Sequence, residues 1–153
     1  MRSVLKKLIS ILVILSAIAV YSGCDFFEEP EERYDYTIID EYASYTTKDD
    51  VSLYLYTYGH LPHNYITKKE ARALGWESGG LDEFQYEACL GGDWFGNYEG
   101  LLPEEDGRDY YECDIDTMHR DSRGAKRIVY SDDGLIYYTE DHYTSFELLY
   151  GEP

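Results

Sequence analysis

The feature that most constrains this chain is a change of patterning at Cys89. Beyond it the apolar residues come in short runs rich in Tyr, Ile, Val and Phe, at Leu90–Phe95, Tyr110–Asp116, Arg127–Ser131, Leu135–Thr139 and Phe146–Tyr150. Turn residues separate the runs: Gly96-Asn97, Glu105 to Gly107, Asp132 to Gly134 and Glu140-Asp141. Such runs predict five strands. Ahead of Cys89 the spacing is helical. Thr47 with Asp50 resembles a capping box, Val51, Leu53, Tyr54, Leu55 and Tyr58 form an apolar stripe, and Gly59 supplies the stop. Thr67 with Glu70 opens a second helix that ends at Gly75, and a short third helix is expected over Leu81–Glu87. Helices first and an antiparallel sheet second give an α+β fold, with N-terminal helices packed on a C-terminal antiparallel sheet. The 18 tyrosines suit that sheet, because Tyr packs its ring while its hydroxyl stays wet.

The first 23 residues read differently. Arg2, Lys6 and Lys7 precede a nearly unbroken apolar run, Leu8 to Val20, and Ser22-Gly23 then lead to Cys24. That order predicts a lipoprotein-type signal over residues 1–23 with Cys24 as the lipidated residue; an uncleaved membrane anchor is the alternative. Residues 24–45 are acidic and irregular and are expected to be a tether. Residues 46–153 are then one domain outside the cytoplasm, expected to be monomeric, held to a membrane only through its N terminus. The signal carries three cations and no acid, so the remainder has ten cations against 31 acids, a net charge of −21. Taken alone, that balance opposes a polyanionic partner such as RNA.

Against this background the position of the few cations is informative. Arg120, Arg123, Lys126 and Arg127 crowd into eight residues, which either await an anion or are neutralised by acidic neighbours. His142 sits in a turn before the last strand, where an imidazole can hold and release a proton near neutral pH, or simply be a surface histidine. Strand alternation puts Glu112 on a polar, anionic face with Tyr110 and Asp114, opposite Tyr111, Cys113 and Ile115; among 31 acids a solvated role is the ordinary one. His60 and His63 read as surface residues, and His119 has no assigned place. Cys89 and Cys113 are an even pair in an oxidising compartment, bonded or two separate buried thiols.

These residues fall in a recognisable order. The stretches LPHNYITKKEARALGW (Leu61 to Trp76), GGDWFGNYEGLLP (Gly91 to Pro103), Glu112-Cys113-Asp114-Ile115 and RIVYSDDGLIYYTEDHYTSF (Arg127 to Phe146) closely resemble the barnase-like, guanyl-preferring microbial ribonucleases, over roughly Thr46 to Tyr150. The resemblance implies an endoribonuclease without metal or cofactor. Glu112 matches a general base and His142 a general acid, while Lys68, Arg123 and Arg127 match the cations around the scissile phosphate. Glu99 with Gly96, Asn97 and Tyr98 matches a guanine-gripping loop, and Tyr143 an aromatic beside the nucleobase. Asp93 matches a carboxylate that orients the lysine, Asp114 one that supports the arginines, and Arg108 with Asp133 a structural salt bridge. It also favours a cross-strand Cys89–Cys113 disulfide, which would close about 24 residues and stabilise by roughly 3 kcal/mol. A barstar-like protein inhibitor is a further implied partner. The chain departs from the pattern at Tyr98, where an arginine is usual, at Gly96, where serine is common, and at Gly134, which replaces a tryptophan and is expected to loosen local packing. A catalytically weak or silent RNA- or protein-binding surface lipoprotein is the competing reading.

Overall fold

The computed structural model describes residues 39–153; the signal, Cys24 and most of the acidic tether lie outside the described residues. Helix α1, Lys48–Tyr58, begins where Thr47 Oγ1 accepts the Asp50 amide at 3.2 Å, with Asp49 and Asp50 against the positive end of the helix dipole. It stops where Gly59, at φ 74°, donates its amide to the Leu55 carbonyl at 2.8 Å. Helix α2, Lys68–Ala73, starts with the reciprocal Thr67/Glu70 capping box.

The strands are β1 (Tyr65–Ile66), β2 (Cys89–Phe95), β3 (Tyr110–Asp114), β4 (Arg127–Ser131), β5 (Ile136–Thr139) and β6 (Glu147–Tyr150). They lie side by side in chain order, and every pair is antiparallel except β1 with β2. One face of the sheet carries Cys113 and Ile128, which pack with Ile115 against Val51 and Leu55 of α1. The other face carries Tyr110, Val129 and Tyr137, covered by Phe95 at the end of β2 and by Leu102, Leu135, Tyr143 and Phe146 from the connecting loops. A third apolar cluster, Ala71, Trp76, Leu81, Ala88 and Leu90, seats α2. The α+β reading therefore holds, with α1 covering one sheet face and loops covering most of the other.

Four expectations change. Residues 81–87 are turns rather than a helix: the Leu81 carbonyl accepts from Phe84 and Gln85, but only Leu81 and Ala88 at the two ends are buried, so no apolar stripe rewards a further turn. Cys89 and Cys113 are free, buried thiols, not a disulfide. The register explains why, because Cys113 stands opposite Gly91 and Cys89 is displaced two residues along β2. The face that Glu112 shares with Tyr110 and Asp114 is buried rather than solvated. Finally, Gly134 lies in an exposed turn at φ 102° with open space where a Cβ would be, so glycine relieves backbone strain there without leaving a packing defect. The parallel strand β1 was not anticipated; two residues are too few to pattern.

Candidate active site

Two pieces of backbone face each other across a cleft of about 730 Å³. One wall is the sheet face bearing Glu112, with Lys68 and Arg123 beside it. The other carries the loop 96–101 and the turn holding His142, Tyr143 and Thr144. Glu112 and His142 thus open onto the same space, whereas Arg127, 2% exposed, is not part of its lining and reaches Glu112 only through its charge.

Glu112 sits in the middle of β3, paired with Asp93 on β2 and Val129 on β4. It is only 7% exposed. Burial is the largest influence on its carboxyl and would by itself push the pKa up. Three partners reverse that. Lys68 Nζ and the Tyr143 hydroxyl donate to its two oxygens, and the Arg127 guanidinium adds its charge, so the carboxyl titrates below the usual glutamate range. Glu112 is therefore an ionised, desolvated carboxylate at neutral pH, and its basicity is held by removable partners. Tyr143 moves the opposite way: burial and the Glu112 carboxylate raise its phenol, which keeps the hydroxyl protonated as a donor.

Lys68 is the first residue of α2. Its own amide donates to Asp93 Oδ2 at 2.9 Å, so Asp93 orients the lysine through the backbone at the start of that helix. Asp114, 2% exposed, takes a two-pronged pair from Arg123, Nε at 2.7 Å and Nη2 at 2.8 Å. Arg127 Nε lies 2.9 Å from Asp114 Oδ1, the oxygen that Arg123 Nη2 also reaches, but makes no hydrogen bond, so that contact is ionic attraction alone. Its Nη1 donates to the Arg123 and Lys126 carbonyls at 3.3 and 2.7 Å. The crowded cations at 120–127 are thus only partly neutralised. Lys126 turns away to Asp116, whereas Arg123 and Arg127 share the single charge of Asp114. Lys68 is balanced by Glu112, and Glu99 also lines the cleft, so cations stand beside Glu112 without making the pocket net positive.

His142 is exposed and carries φ 57°, followed by Tyr143 at φ 72°. Two left-handed residues in succession are unusual without glycine. Asp141 supports them: its carboxylate accepts the Thr144 and Ser145 amides at 3.0 and 2.9 Å, the Ser145 hydroxyl at 2.6 Å and the Thr139 hydroxyl at 2.9 Å. Thr139 Oγ1 in turn accepts the Tyr143 amide at 3.0 Å. Asp141 is pulled down to about 2, chiefly by the Ser145 hydroxyl and amide.

In the loop 96–101, Asn97 is buried at φ 43°, and its side chain bonds the Leu102 carbonyl and amide at 2.9 and 3.0 Å. Asn97 is consumed in shaping the loop, which leaves the backbone of Gly96 to Tyr98 and the exposed Glu99 carboxylate to meet a ligand. Arg108 donates to Asp133 at 2.7 Å outside the cleft, as the resemblance implied. His119 pairs with Asp82 at 2.8 Å, and His60 and His63 are exposed, away from the cleft. Among the described residues no three His, Cys, Asp or Glu side chains gather in a way that could hold a metal ion. The role of Tyr143 as a donor to Glu112 has no signature in the sequence; an aromatic next to His142 carries no mark of where its hydroxyl ends.

This arrangement can take a proton on one side of a bound group and deliver one on the other, with fixed cations between. The known proteins that the chain resembles fit that capacity. The sequence profile of the ribonuclease family matches residues 48–150. A ribonuclease of Heyndrickxia coagulans is 48% identical over 106 residues, 68% of this chain and 96% of that protein. A ribonuclease of Bacillus intermedius is 37% identical over 161 positions, 93% of this chain and 98% of that protein. Guanyl-specific ribonuclease St of Saccharopolyspora erythraea is 48% identical over 54 residues, 35% of this chain and 54% of that protein. The buried carboxylate, the histidine across from it and this family match lead to one conclusion: the chain belongs to the barnase-like ribonuclease family and is a ribonuclease.

Proposed function

We propose that the protein is an exported, metal-independent endoribonuclease that cleaves single-stranded RNA 3′ of guanosine. The observation that carries this reading is the ionised Glu112, held by Lys68 and Tyr143 in the cleft that His142 also lines. Glu112 takes the proton of the ribose 2′-hydroxyl. The freed oxygen attacks phosphorus, the bond to the 5′-oxygen breaks, and His142 gives that oxygen its proton. The products are a 2′,3′-cyclic phosphate and a 5′-hydroxyl. Arg123, Arg127 and Lys68 neutralise charge as it grows on the phosphorane oxygens, which lowers the barrier because the interaction strengthens in the transition state. DNA lacks the nucleophile and is not cut.

Guanine preference rests on the loop 96–99 and on the guanyl-specific relative. Glu99 would accept the two N–H groups on one edge of guanine, and backbone amides would donate to its carbonyl. A signal over residues 1–23 with a lipid on Cys24 would carry the protein outside the cytoplasm, anchored or secreted, and a barstar-like inhibitor would have to cover the same cleft.

The test is a dinucleotide. Purified residues 24–153 are incubated with guanylyl-3′,5′-uridine in chelator, and the cyclic phosphate is followed. Glu112→Gln and His142→Ala are each expected to lose about 10² to 10⁴ in kcat. Activity that survives unchanged in both variants would refute the assignment, and absence of activity in the parent would favour the silent binding module. Mass spectrometry of the cell-associated protein decides the lipid on Cys24.

A further inference from the structure

The outer lip of the cleft carries an aromatic corner made of Trp94, which has no role in the chemistry above, and Tyr98 of the loop 96–99. Trp94 is 55% exposed and Tyr98 85% exposed; their ring centroids are 6.0 Å apart and the planes meet at 76°. Leu101, 54% exposed, stands on the same lip. A surface tryptophan is ordinarily loose, but the indole N–H of Trp94 donates to Asp109 Oδ1 at 3.1 Å, which fixes the plane of its ring. Tyr98 is fixed from the other side, because its ring lies across Gly96: a Cβ there would come within 2.4 Å of it. The two departures from the family pattern at Gly96 and Tyr98 are thus one adjustment. A bare glycine lets the ring lie back beside Trp94.

We propose that Trp94 and Tyr98 form a stacking subsite for the nucleobase on the 5′ side of the cleaved guanosine. The proposal rests on the ribonuclease reading of the cleft and extends it by one nucleotide. A guanosine on the loop that turned its 3′-phosphate to Glu112 and Arg123 on the opposite wall would leave its 5′ end toward the lip where Trp94 stands. The surroundings select the base over the backbone. In the neighbouring hollow Glu104, Glu105 and Asp109 outnumber Arg108, itself paired with Asp133, and disfavour phosphate, whereas an uncharged base can lie flat on the indole. Stacking is also the attraction that a chain with so many acids can still offer RNA, since it needs no counter-charge and tolerates any base.

Two observables test it. The chain has two tryptophans, and Trp76 is buried with its indole N–H bonded to the Gly79 carbonyl at 3.2 Å, so a ligand that quenches fluorescence reports on Trp94. A deoxyribo-oligonucleotide with adenosine 5′ of its single guanosine binds without being cut; it should quench emission, and quenching should persist at 0.5 M salt. In cleavage, adding one 5′ adenosine to guanylyl-uridine should raise kcat/KM of the parent by about 5- to 150-fold. In Trp94→Ala that gain should fall to nearly one, and Trp94→Phe should restore part of it. Equal losses of Trp94→Ala on the short and long substrates would overturn the proposal, as would quenching that disappears with salt. A parent that cuts neither substrate yet shows salt-resistant quenching would sink the catalytic reading and leave the subsite standing.

Discussion

Glu112 and His142 share a cleft but are held in opposite ways. Glu112 stands on a central strand, nearly buried, with its charge set by side chains from α2 and from the turn before β6. His142 stands on an exposed turn in a left-handed conformation, and what fixes it is the hydrogen bonding of its neighbour Asp141 to the backbone that follows. A carboxylate that must be a base benefits from burial, because desolvation strengthens it, provided that partners keep it ionised. An imidazole that must exchange its proton with water between turnovers benefits from exposure, and the price is strained backbone that other groups must stabilise. The two walls should therefore respond differently to mutation: the buried one through charge, the exposed one through position.

The largest effect belongs to the buried wall. Among the described residues Asp114 is the only carboxylate that pairs with Arg123 and Arg127, and both it and Arg127 are 2% exposed. Asp114→Asn removes the negative charge and leaves a buried guanidinium uncompensated, which is expected to destabilise the fold by about 3–5 kcal/mol. Urea denaturation checks this. A loss below about 1 kcal/mol would mean that water reaches Arg127 and that the wall is less closed than its burial indicates.

Tyr143→Phe separates charge from packing where the turn reaches across to Glu112 on that wall. The ring still fills the space against Phe95, 5.2 Å between centroids, but the hydroxyl on Glu112 is gone. Loss of a hydrogen bond to a charged group costs about 1.5–3 kcal/mol, so kcat/KM should fall about tenfold or more. Glu112 is held low by its partners, so removing one lets burial push its carboxyl upward. The acid limb of the kcat/KM profile then moves to higher pH, and the loss is larger at low pH than at pH 7.5. A uniform loss at all pH values would show that the hydroxyl positions Glu112 without tuning it.

Much of this frame was readable from residue order. Thr47, Gly59, Thr67 and Glu70 each act within four residues along the chain, and local rules reach that far. The strand runs after Cys89 were equally plain, since alternation and turn residues are local. The failures share the opposite property. Glu112 looked like one of 31 acids because its burial comes from Tyr143, 31 residues away, and from Lys68, 44 residues away. The cysteines looked like a pair because the register that sets Cys113 opposite Gly91, two residues from Cys89, is a pairing of distant strands that local sequence does not reveal. Residues 81–87 looked helical because nothing in seven residues reveals that only their ends touch the core. The active-site assignments rest on the order of several motifs; Lys68, Glu112, Arg123, His142, Tyr143 and the loop 96–99 line one cleft, while Arg127, Asp93 and Asp114 lie outside its lining.

The smallest effect belongs to the exposed wall and completes the contrast. Asp141→Asn keeps the shape of the side chain but removes the charge that four donors share. Its folded-state pKa of about 2 lies below the value of about 3.9 for an unfolded chain, so its contribution to stability is present above that value and is lost as pH falls through the folded one. Glu112, Glu70 and Asp133 are depressed as well, so the parent weakens in acid for several reasons. The difference between parent and variant isolates Asp141: the melting temperatures should differ at pH 6 and converge toward pH 2. Because the turn carries His142, kcat at neutral pH should drop a few-fold with KM nearly unchanged, less than for Tyr143→Phe. If kcat fell as far as it does in His142→Ala, the exposed turn would be as tightly coupled to chemistry as the buried strand, and the division between a wall governed by charge and one governed by position would be wrong.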